Sequence, residues 1–193
     1  MDISSKKLSD QKYLIDLGNL PVPGYLCDNF EQAITEPTIS NCLKISPNTN
    51  LIHQENSQES KELLNKKVYS NYQSTYTNSF SLNSYMKSFI DFILQKSEIQ
   101  NNENILEIGS NNGHIVKEIA SRGFNAYGVD PSSPNEKGNS YKLINGFFGE
   151  KFVYKNNFES KFKLLYTRHT LEHVYDPFEF VEACSKCLSK KGK

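Results

Sequence analysis

The sequence has no excess of charge of either sign, because 22 Lys and Arg residues balance 22 Asp and Glu residues. A protein that binds nucleic acid or an anionic membrane surface usually carries a basic excess. The chain also lacks any apolar run of the 18 or more residues that a transmembrane helix requires. We therefore expect neither a nucleic-acid partner nor a membrane partner.

The N-terminus and the cysteines show no sign of secretion. Residues 1–12 contain no continuous apolar segment of the kind that a signal peptide needs. The four cysteines are expected to be reduced rather than bridged, since nothing marks the chain for an oxidising compartment. These features predict a cytoplasmic protein, and a length of 193 residues suggests one ordinary domain with a small appendage.

The most informative stretch is a glycine-containing turn between a short apolar segment and an amphipathic one. Ile105–Ile108 has the composition of a strand buried on both faces, interrupted by the carboxylate of Glu107. Residues 109–113, Gly-Ser-Asn-Asn-Gly, tolerate unusual backbone angles. Residues 114–123 show helical periodicity and end in Arg-Gly. The pattern predicts strand, turn and helix, an arrangement that in open α/β sheets receives a ligand at the turn.

The spacing of the two glycines indicates which ligand the turn receives. A dinucleotide fingerprint has the form G-x-G-x-x-G, whereas this turn has G-x-x-x-G with Asn111 where the second glycine would be. A pyrophosphate ligand, and with it a nicotinamide-dependent dehydrogenase, is therefore disfavoured. A polar turn that follows the carboxylate of Glu107 suits a ligand with a cationic amino group instead.

A second acidic residue extends this hypothesis. Residues 125–130 predict another strand, and this strand ends at Asp130. Asp130 lies 23 residues after Glu107, close to the offset of about 20 at which an acid accepts ribose hydroxyls. An amino-acid group at the first strand and a ribose at the second together describe S-adenosylmethionine (SAM).

The rest of the chain divides into a small N-terminal region and a larger domain. We assign residues 1–67 to the first, with an extended apolar segment over residues 13–26 and a hairpin over residues 43–53. A lobe of this size is too small to hold a good core alone. Residues 68–193 form the second domain.

The larger domain is predicted to contain further strands and helices in alternation, as in other α/β proteins. The pattern predicts a helix over residues 81–96, strands over residues 141–144 and 163–167, and a helix that begins at Asp176-Pro177 and ends near Ser189.

Two of these stretches carry a resemblance to a known family. Glu-Ile-Gly-Ser-Asn-Asn-Gly (107–113) and Gly-Val-Asp-Pro (128–131) resemble motifs I and II of class I SAM-dependent methyltransferases. The resemblance implies SAM as cofactor and a Rossmann-like α/β sheet ordered 3-2-1-4-5-7-6. This chain would supply about four parallel strands of that sheet, beside a mainly extended N-terminal lobe. The implied cofactor-binding residues are Glu107, Gly109, Ser110, Asn111, Gly113, Asp130, Pro131, Phe147, Phe148 and His169.

Five segments carry a second, narrower resemblance that covers nearly the whole chain. They are residues 14–21, 72–85, 107–113, 145–148 (Asn-Gly-Phe-Phe) and 168–177 (Arg-His-Thr-Leu-Glu-His-Val-Tyr-Asp-Pro). They resemble the C-methyltransferases that act on nucleotide-linked deoxysugars, and the last segment is the most specific. This resemblance implies methyl transfer to a sugar carbon of a nucleotide-linked substrate. It also implies Tyr72 on the substrate side and His169 and His173 as candidate catalytic bases.

The chain departs from that family at the metal site of the N-terminal lobe. Family members carry two Cys-x-x-Cys pairs there, and the four positions are Met1, Ser4, Ser46 and Thr49 in this sequence. Structural zinc needs about four Cys or His ligands. We therefore expect a lobe without zinc, and we interpret the one remaining Cys-x-x-Cys, 184–187, as buried or boundary positions of the final helix.

The chain also departs from the family at its end. It stops at Lys193, where the fifth strand should begin, and it contains no Tyr-x-Glu-His motif, which in the family includes the proposed base. We expect the N-terminal part of a longer enzyme or the product of a shortened gene. Two hypotheses follow: a methyltransferase acting on a nucleotide-linked sugar, or a catalytically inactive SAM-binding or partner-binding fragment that needs a second chain to complete its sheet.

Overall fold

The computed structural model describes residues 13–22, 27–46, 50–55, 57–72 and 79–193. The chain forms two compact units, Met1–Ser70 and Asn71–Lys193. No helix in the described ranges is both long and apolar enough to cross a lipid bilayer.

The first unit contains an antiparallel sheet of three strands in the order β1-β2-β3. The strands are β1 (Tyr13–Pro21), β2 (Thr38–Ile45) and β3 (Ile52–Glu55). The predicted hairpin is formed by β2 and β3, in register from Cys42 opposite Glu55 to Ile45 opposite Ile52. The backbone amide of Ser46 closes it by donating to the carbonyl of Leu51 at 2.9 Å.

Two short helices accompany this sheet, α1 (Phe30–Thr35) and α2 (Gln58–Leu64), and a π-helical turn over Asn65–Tyr69 continues α2. Helix α1 was not predicted, because none of its residues is buried and its sequence therefore has no apolar period. It begins instead at a local cap, where Asn29 Oδ1 accepts the backbone amide of Gln32 at 2.8 Å.

The second unit contains the predicted Rossmann-like sheet, whose five strands have the order β6-β7-β5-β4-β8. The strands are β4 (Asn104–Ile108), β5 (Asn125–Asp130), β6 (Glu136–Lys137), β7 (Tyr141–Asn145) and β8 (Leu164–Thr167). Strands β7, β5, β4 and β8 are parallel, and the two-residue strand β6 runs antiparallel on the outer edge of β7. The four parallel strands correspond to the 3-2-1-4 part of the expected order.

Helices cover both faces of this sheet, as expected for parallel strands with apolar side chains on both sides. They are α3 (Phe80–Ser97), α4 (His114–Ser121), α5 (Glu150–Lys155), the 3₁₀ turn Leu171–His173 and α6 (Pro177–Cys187). Met86 and Ile90 of α3 join the core on one face, and Phe180 and Cys187 of α6 join the core on the other. Helix α5 was not predicted, because Val153 is its one buried residue.

The final helix begins as predicted, since Asp176 Oδ1 accepts the backbone amides of Phe178 and Glu179 at 3.0 Å each. The chain then returns to the edge of the sheet. The backbone amide of Lys193 donates to the carbonyl of Lys163, and the amide of Leu165 donates to the carbonyl of Lys193, both at 3.0 Å. Strand β8 is therefore an edge strand whose beginning is covered by the last residue of the chain.

Candidate functional site

The loop between β4 and α4 lies at the carboxyl end of the sheet and is anchored to the neighbouring strand. The backbone amides of Gly109 and Ser110 both donate to the carbonyl of Val129 in β5, at 2.8 and 3.3 Å. Gly109, Asn111 and Gly113 all have positive φ, at 79°, 47° and 75°. The loop thus has the left-handed backbone that its glycine and asparagine residues predict.

The two glycines of the loop are required by close packing as well as by φ. A β-carbon at Gly109 would lie 2.0 Å from Thr170 Oγ1, and one at Gly113 would lie 2.4 Å from Leu143 Cδ1. Thr170 follows β8, so the segment after the fourth parallel strand packs directly on the loop after the first. The site is therefore assembled from three strand ends.

Asp130, at the end of β5, faces this loop. Its Oδ2 accepts the backbone amide of Asn111 at 3.0 Å. Its Oδ1 accepts the backbone amide and the hydroxyl of Ser132 at 2.7 and 2.6 Å. The structure thus brings together Asp130 and the turn that follows Glu107, which are far apart in the sequence.

Side-chain hydrogen bonds join the loops after β4 and β5. Asn111 Nδ2 donates to Ser132 Oγ at 3.2 Å and to the carbonyl oxygen of Tyr72 at 2.8 Å. The hydroxyls of Ser110 and Ser133 lie 3.2 Å apart, and Ser133 also donates to the carbonyl of Asn111. Tyr72 thus reaches this network through its backbone, while its side chain is 55 % exposed.

Glu107 is buried beneath the loop and is 2 % exposed. Its Oε1 lies 3.8 Å from Arg168 Nη2, and its Oε2 has no hydrogen-bond partner in the structure. Burial raises the pKa of Glu107 to about 7, although the nearby Arg168 acts in the opposite direction. A buried carboxylate with a free oxygen can accept a hydrogen bond from a cationic ligand group.

Arg168 and Tyr166 are residues of this site that the sequence analysis did not identify. The Arg168 guanidinium lies 5.0 Å from the ring centroid of Phe89 and donates from Nη1 to Met86 Sδ at 3.1 Å. Arg168 Nε and the Tyr166 hydroxyl are buried without hydrogen-bond partners. Burial, followed by the charge of Glu107, raises the pKa of Tyr166 well above its usual range.

Strand register explains why these three groups meet. Glu107 pairs with Tyr166 across β4 and β8, so their side chains share one face of the sheet, and Arg168 follows two residues later on the same side. Alternation along residues 164–168 was the signal that could have identified them, once the neighbouring strand was known.

The two candidate histidines lie on the surface beyond β8. The His169 side chain is 79 % exposed, has φ of 51°, and places Nδ1 3.8 Å from Glu172 Oε1. His173 is exposed at the end of the 3₁₀ turn. Both side chains are open to solvent, so the structure leaves their predicted roles as predictions.

The remaining predicted residues follow β5 and β7. The Pro131 carbonyl accepts Asn145 Nδ2 at 2.8 Å, which ties the two loops together. Phe148 is half-buried, with its ring centroid 5.5 Å from that of Phe180 and 6.2 Å from that of Phe152. Phe147 is 47 % exposed. Phe147 therefore offers an open ring at the site, whereas Phe148 packs with the core.

The expected metal positions lie only partly in the described structure. Ser46 is in the β2–β3 hairpin, whereas Met1, Ser4 and Thr49 fall outside the described residues. Over the ranges that the structure describes, no group of three or more His, Cys, Asp and Glu residues could hold a metal ion.

The two cysteines of the final helix occupy the predicted kind of position. Cys187 is buried and Cys184 is half-buried. Burial raises the pKa of Cys184 to about 11 and that of Cys187 to about 12. Both are therefore thiols at neutral pH, which is the form expected of packing residues rather than metal ligands.

Comparison with known proteins assigns the second unit to a family. A family model described as a methyltransferase domain matches residues 72–193. No curated protein sequence matches the chain.

Several solved structures share the fold at low sequence identity. Coclaurine N-methyltransferase bound to N-methylheliamine and S-adenosylhomocysteine is 14 % identical, with TM-score 0.45, over 64 % of this chain and 40 % of that chain. The YcgJ protein from Bacillus subtilis is 16 % identical, with TM-score 0.41, over 55 % and 48 %. A Haemonchus contortus phosphoethanolamine N-methyltransferase in complex with S-adenosylhomocysteine is 18 % identical, with TM-score 0.42, over 53 % and 26 %. The chain spans less than half the length of each protein, and likeness at this level carries no argument about acceptor or activity.

Proposed function

The chain belongs to the methyltransferase domain family, whose cofactor is SAM, and from this premise we propose that it binds SAM at the loop between β4 and α4 and transfers the methyl group. The observation that supports this most directly is the convergence of two acids on that loop. Glu107 lies beneath it, and Asp130 accepts the backbone amide of Asn111 within it at 3.0 Å.

The residues present fit the amino-acid end of this cofactor. Glu107 Oε2 is buried and has no partner, so an α-amino group placed there would satisfy it. Arg168, held over the ring of Phe89, offsets part of the negative charge that Glu107 carries when ionised. We propose that these two side chains receive the zwitterionic end of the cofactor.

The residues also fit the nucleoside end. Asp130 stands at the end of the strand next to β4, where an acid accepts ribose hydroxyls in open α/β sheets. The exposed ring of Phe147, after β7, is available to pack on the base. When bound, SAM supplies an electrophilic methyl group, and the chain's own contribution is to hold the cofactor and the acceptor in line.

For the acceptor, we propose a carbon of a nucleotide-linked sugar. The support is the segment Arg-His-Thr-Leu-Glu-His over residues 168–173 and its resemblance to the deoxysugar C-methyltransferases. His169 and His173 follow β8 on the same edge of the sheet as the cofactor loop, so either can remove a proton from a carbon next to a ketone. Tyr72, whose carbonyl binds Asn111, is proposed on the substrate side.

A second candidate function is a SAM-binding or partner-binding protein without activity of its own. It is favoured by the position of β8, which is an edge strand of the sheet with Lys193 against its first residues. An edge strand leaves backbone groups available to another strand. In this proposal a second chain adds a strand there and completes the acceptor side.

Calorimetry with SAM and S-adenosylhomocysteine tests the shared part of both proposals. We expect the wild-type chain to bind, and Asp130→Ala to weaken binding by roughly 1–3 kcal/mol, the range for a lost hydrogen-bond partner that carries charge. Asp91→Ala is the matched control, because Asp91 is an exposed acid of α3 that pairs with Arg122. Equal affinity of wild type and Asp130→Ala would remove Asp130 from the site.

A further inference from the structure

The acceptor positions of Asp130 are mostly occupied by the protein itself, and the consequence rests on the SAM-binding function proposed above. Three donors reach its carboxylate: the amide of Asn111 on Oδ2, and the amide and hydroxyl of Ser132 on Oδ1. A carboxylate offers about four acceptor positions, two on each oxygen. Oδ1 is therefore full, and one position remains on Oδ2.

A ribose diol needs more than that one position. Its two hydroxyls each donate one hydrogen bond, so binding of both to Asp130 requires one acceptor position beyond the free one. Either the ribose binds through one hydroxyl, or one of the three donors leaves.

Ser132 Oγ is the donor that can leave with least disturbance. The amides of Asn111 and Ser132 belong to the backbone of the two loops, which further hydrogen bonds from Ser110 and Ser133 hold together. The Ser132 hydroxyl, in contrast, moves by rotation about a single side-chain bond. It is also chemically a match for a ribose hydroxyl, since both are alcohol O–H donors to a carboxylate.

We propose that the Ser132 hydroxyl occupies the place of a ribose hydroxyl on Asp130 in the free protein and is displaced when the cofactor binds. Ser132 is then an affinity-determining residue that competes with the ligand. In the free protein its hydrogen bond, 2.6 Å long, orients the carboxylate. On binding, Ser132 Oγ rotates away, and Asn111 Nδ2 keeps the carbonyl of Tyr72 as acceptor.

The prediction is that removal of the hydroxyl tightens binding. A hydrogen bond to a charged group contributes about 1.5 kcal/mol or more, so its loss from the free state should lower the dissociation constant of S-adenosylhomocysteine about tenfold in Ser132→Ala. Ser132→Thr keeps the hydroxyl and should bind like wild type. Ser140→Ala, on the same connection but with no hydrogen bond to Asp130, is the control.

A double-mutant cycle separates competition from general loosening of the loop. Calorimetry is performed with S-adenosylhomocysteine on wild type, Ser132→Ala, Asp130→Ala and the double variant, after thermal melts show that each is folded. Competition requires that Ser132→Ala tighten binding when Asp130 is present and have no effect when Asp130 is alanine. A loosened loop would change affinity in both backgrounds.

The outcomes distinguish this inference from the function on which it rests. Tighter binding by Ser132→Ala only in the presence of Asp130 supports the inference. Equal or weaker binding by Ser132→Ala, or an effect of the same size in the Asp130→Ala background, overturns it while leaving SAM binding intact. A folded wild-type chain that does not bind S-adenosylhomocysteine overturns the proposed function itself.

Discussion

At the scale of single residues, Glu107 is the most costly group in the second unit. Its carboxyl is buried, one of its oxygens has no partner, and its nearest cation, Arg168 Nη2, is 3.8 Å away. Burying an ionised carboxylate without full compensation destabilises a fold. Such a residue persists where a ligand supplies the missing partner, which agrees with the proposed contact to an amino group.

The raised pKa of Glu107 gives a pH dependence of stability with a definite sign. Burial raises the pKa from 4.5 to about 7 in the folded chain. Below 4.5 the group is protonated in both the folded and the unfolded state and contributes no difference. Between 4.5 and 7 only the unfolded state ionises, so the free energy of unfolding falls by roughly 3 kcal/mol as the pH rises, at about 1.4 kcal/mol per unit.

Glu107→Gln should remove that fall. We expect the variant and wild type to have similar stability at pH 4.5, and the variant to be more stable at pH 8, as measured by denaturant unfolding without ligand. Glu159→Gln, which changes an exposed carboxylate, is the control. A stability difference between Glu107→Gln and wild type that stays constant from pH 4.5 to pH 8 would contradict the prediction.

At the scale of elements, the loop after β4 depends on the segment after β8. The two meet where Gly109 faces Thr170, whose hydroxyl also lies 3.0 Å from the carbonyl oxygen of Arg168 and 3.4 Å from that of Ile108. The cofactor loop is thus held by a residue 61 positions away in the sequence (170 minus 109). Any change that fills this contact should displace both segments.

Gly109→Ala is the variant that tests this contact. It introduces a β-carbon 2.0 Å from Thr170 Oγ1 at φ of 79°, so steric overlap adds to backbone strain, and we expect a loss of more than about 2 kcal/mol in unfolding free energy. Gly123→Ala is the matched control, because its φ is 92° and its nearest neighbouring atom is 3.7 Å away. The control therefore measures strain alone.

A second substitution identifies the origin of the loss. Thr170→Ala in the Gly109→Ala background removes Oγ1 and should recover part of the stability and of the SAM affinity. Equal losses in Gly109→Ala and Gly123→Ala would show that the contact with Thr170 is unimportant.

At the scale of the whole molecule, the first unit is expected to fold without zinc. The predicted ligand positions carry no thiolate in the sequence, and the described part of the unit has no cluster of metal-binding side chains. Elemental analysis of the purified protein should therefore find no stoichiometric zinc, and treatment with a chelator should leave the unfolding temperature unchanged. One zinc per chain would overturn this and direct attention to Cys27, Cys42 and His53.

The second whole-molecule prediction concerns turnover by the 193-residue chain alone. We expect binding of SAM without methyl transfer, because the candidate bases His169 and His173 are exposed, and a site open to water loses the orientation on which the rate depends. The measurement is transfer of label from SAM to a panel of nucleotide-linked 4-ketosugars. Turnover that His169→Ala or His173→Ala abolishes would contradict the expectation and would place the base in the segment after β8.

The local pattern of the sequence was enough to predict the central part of the fold. Apolar residues followed by Gly-x-x-x-Gly and a helical period predicted β4, the loop and α4, because backbone angles and caps depend on residues only a few positions apart. Strands β5, β7 and β8 and helices α3 and α6 were predicted for the same reason. The short elements α1, α5 and β6 were not, since almost none of their residues is buried and no period marks them.

The site, in contrast, was only half predictable from local pattern. Glu107, Asp130 and the loop could be placed from their spacing, because parallel strands bring their carboxyl ends to one edge. The meeting of Arg168 with Glu107 and the packing of Thr170 on Gly109 depend on the register of β8 against β4. The occupation of Asp130 by Ser132 depends on how two loops close on each other. Contacts of this kind are decided by tertiary packing, because no residue type or spacing along the chain specifies which side chains will share one buried face.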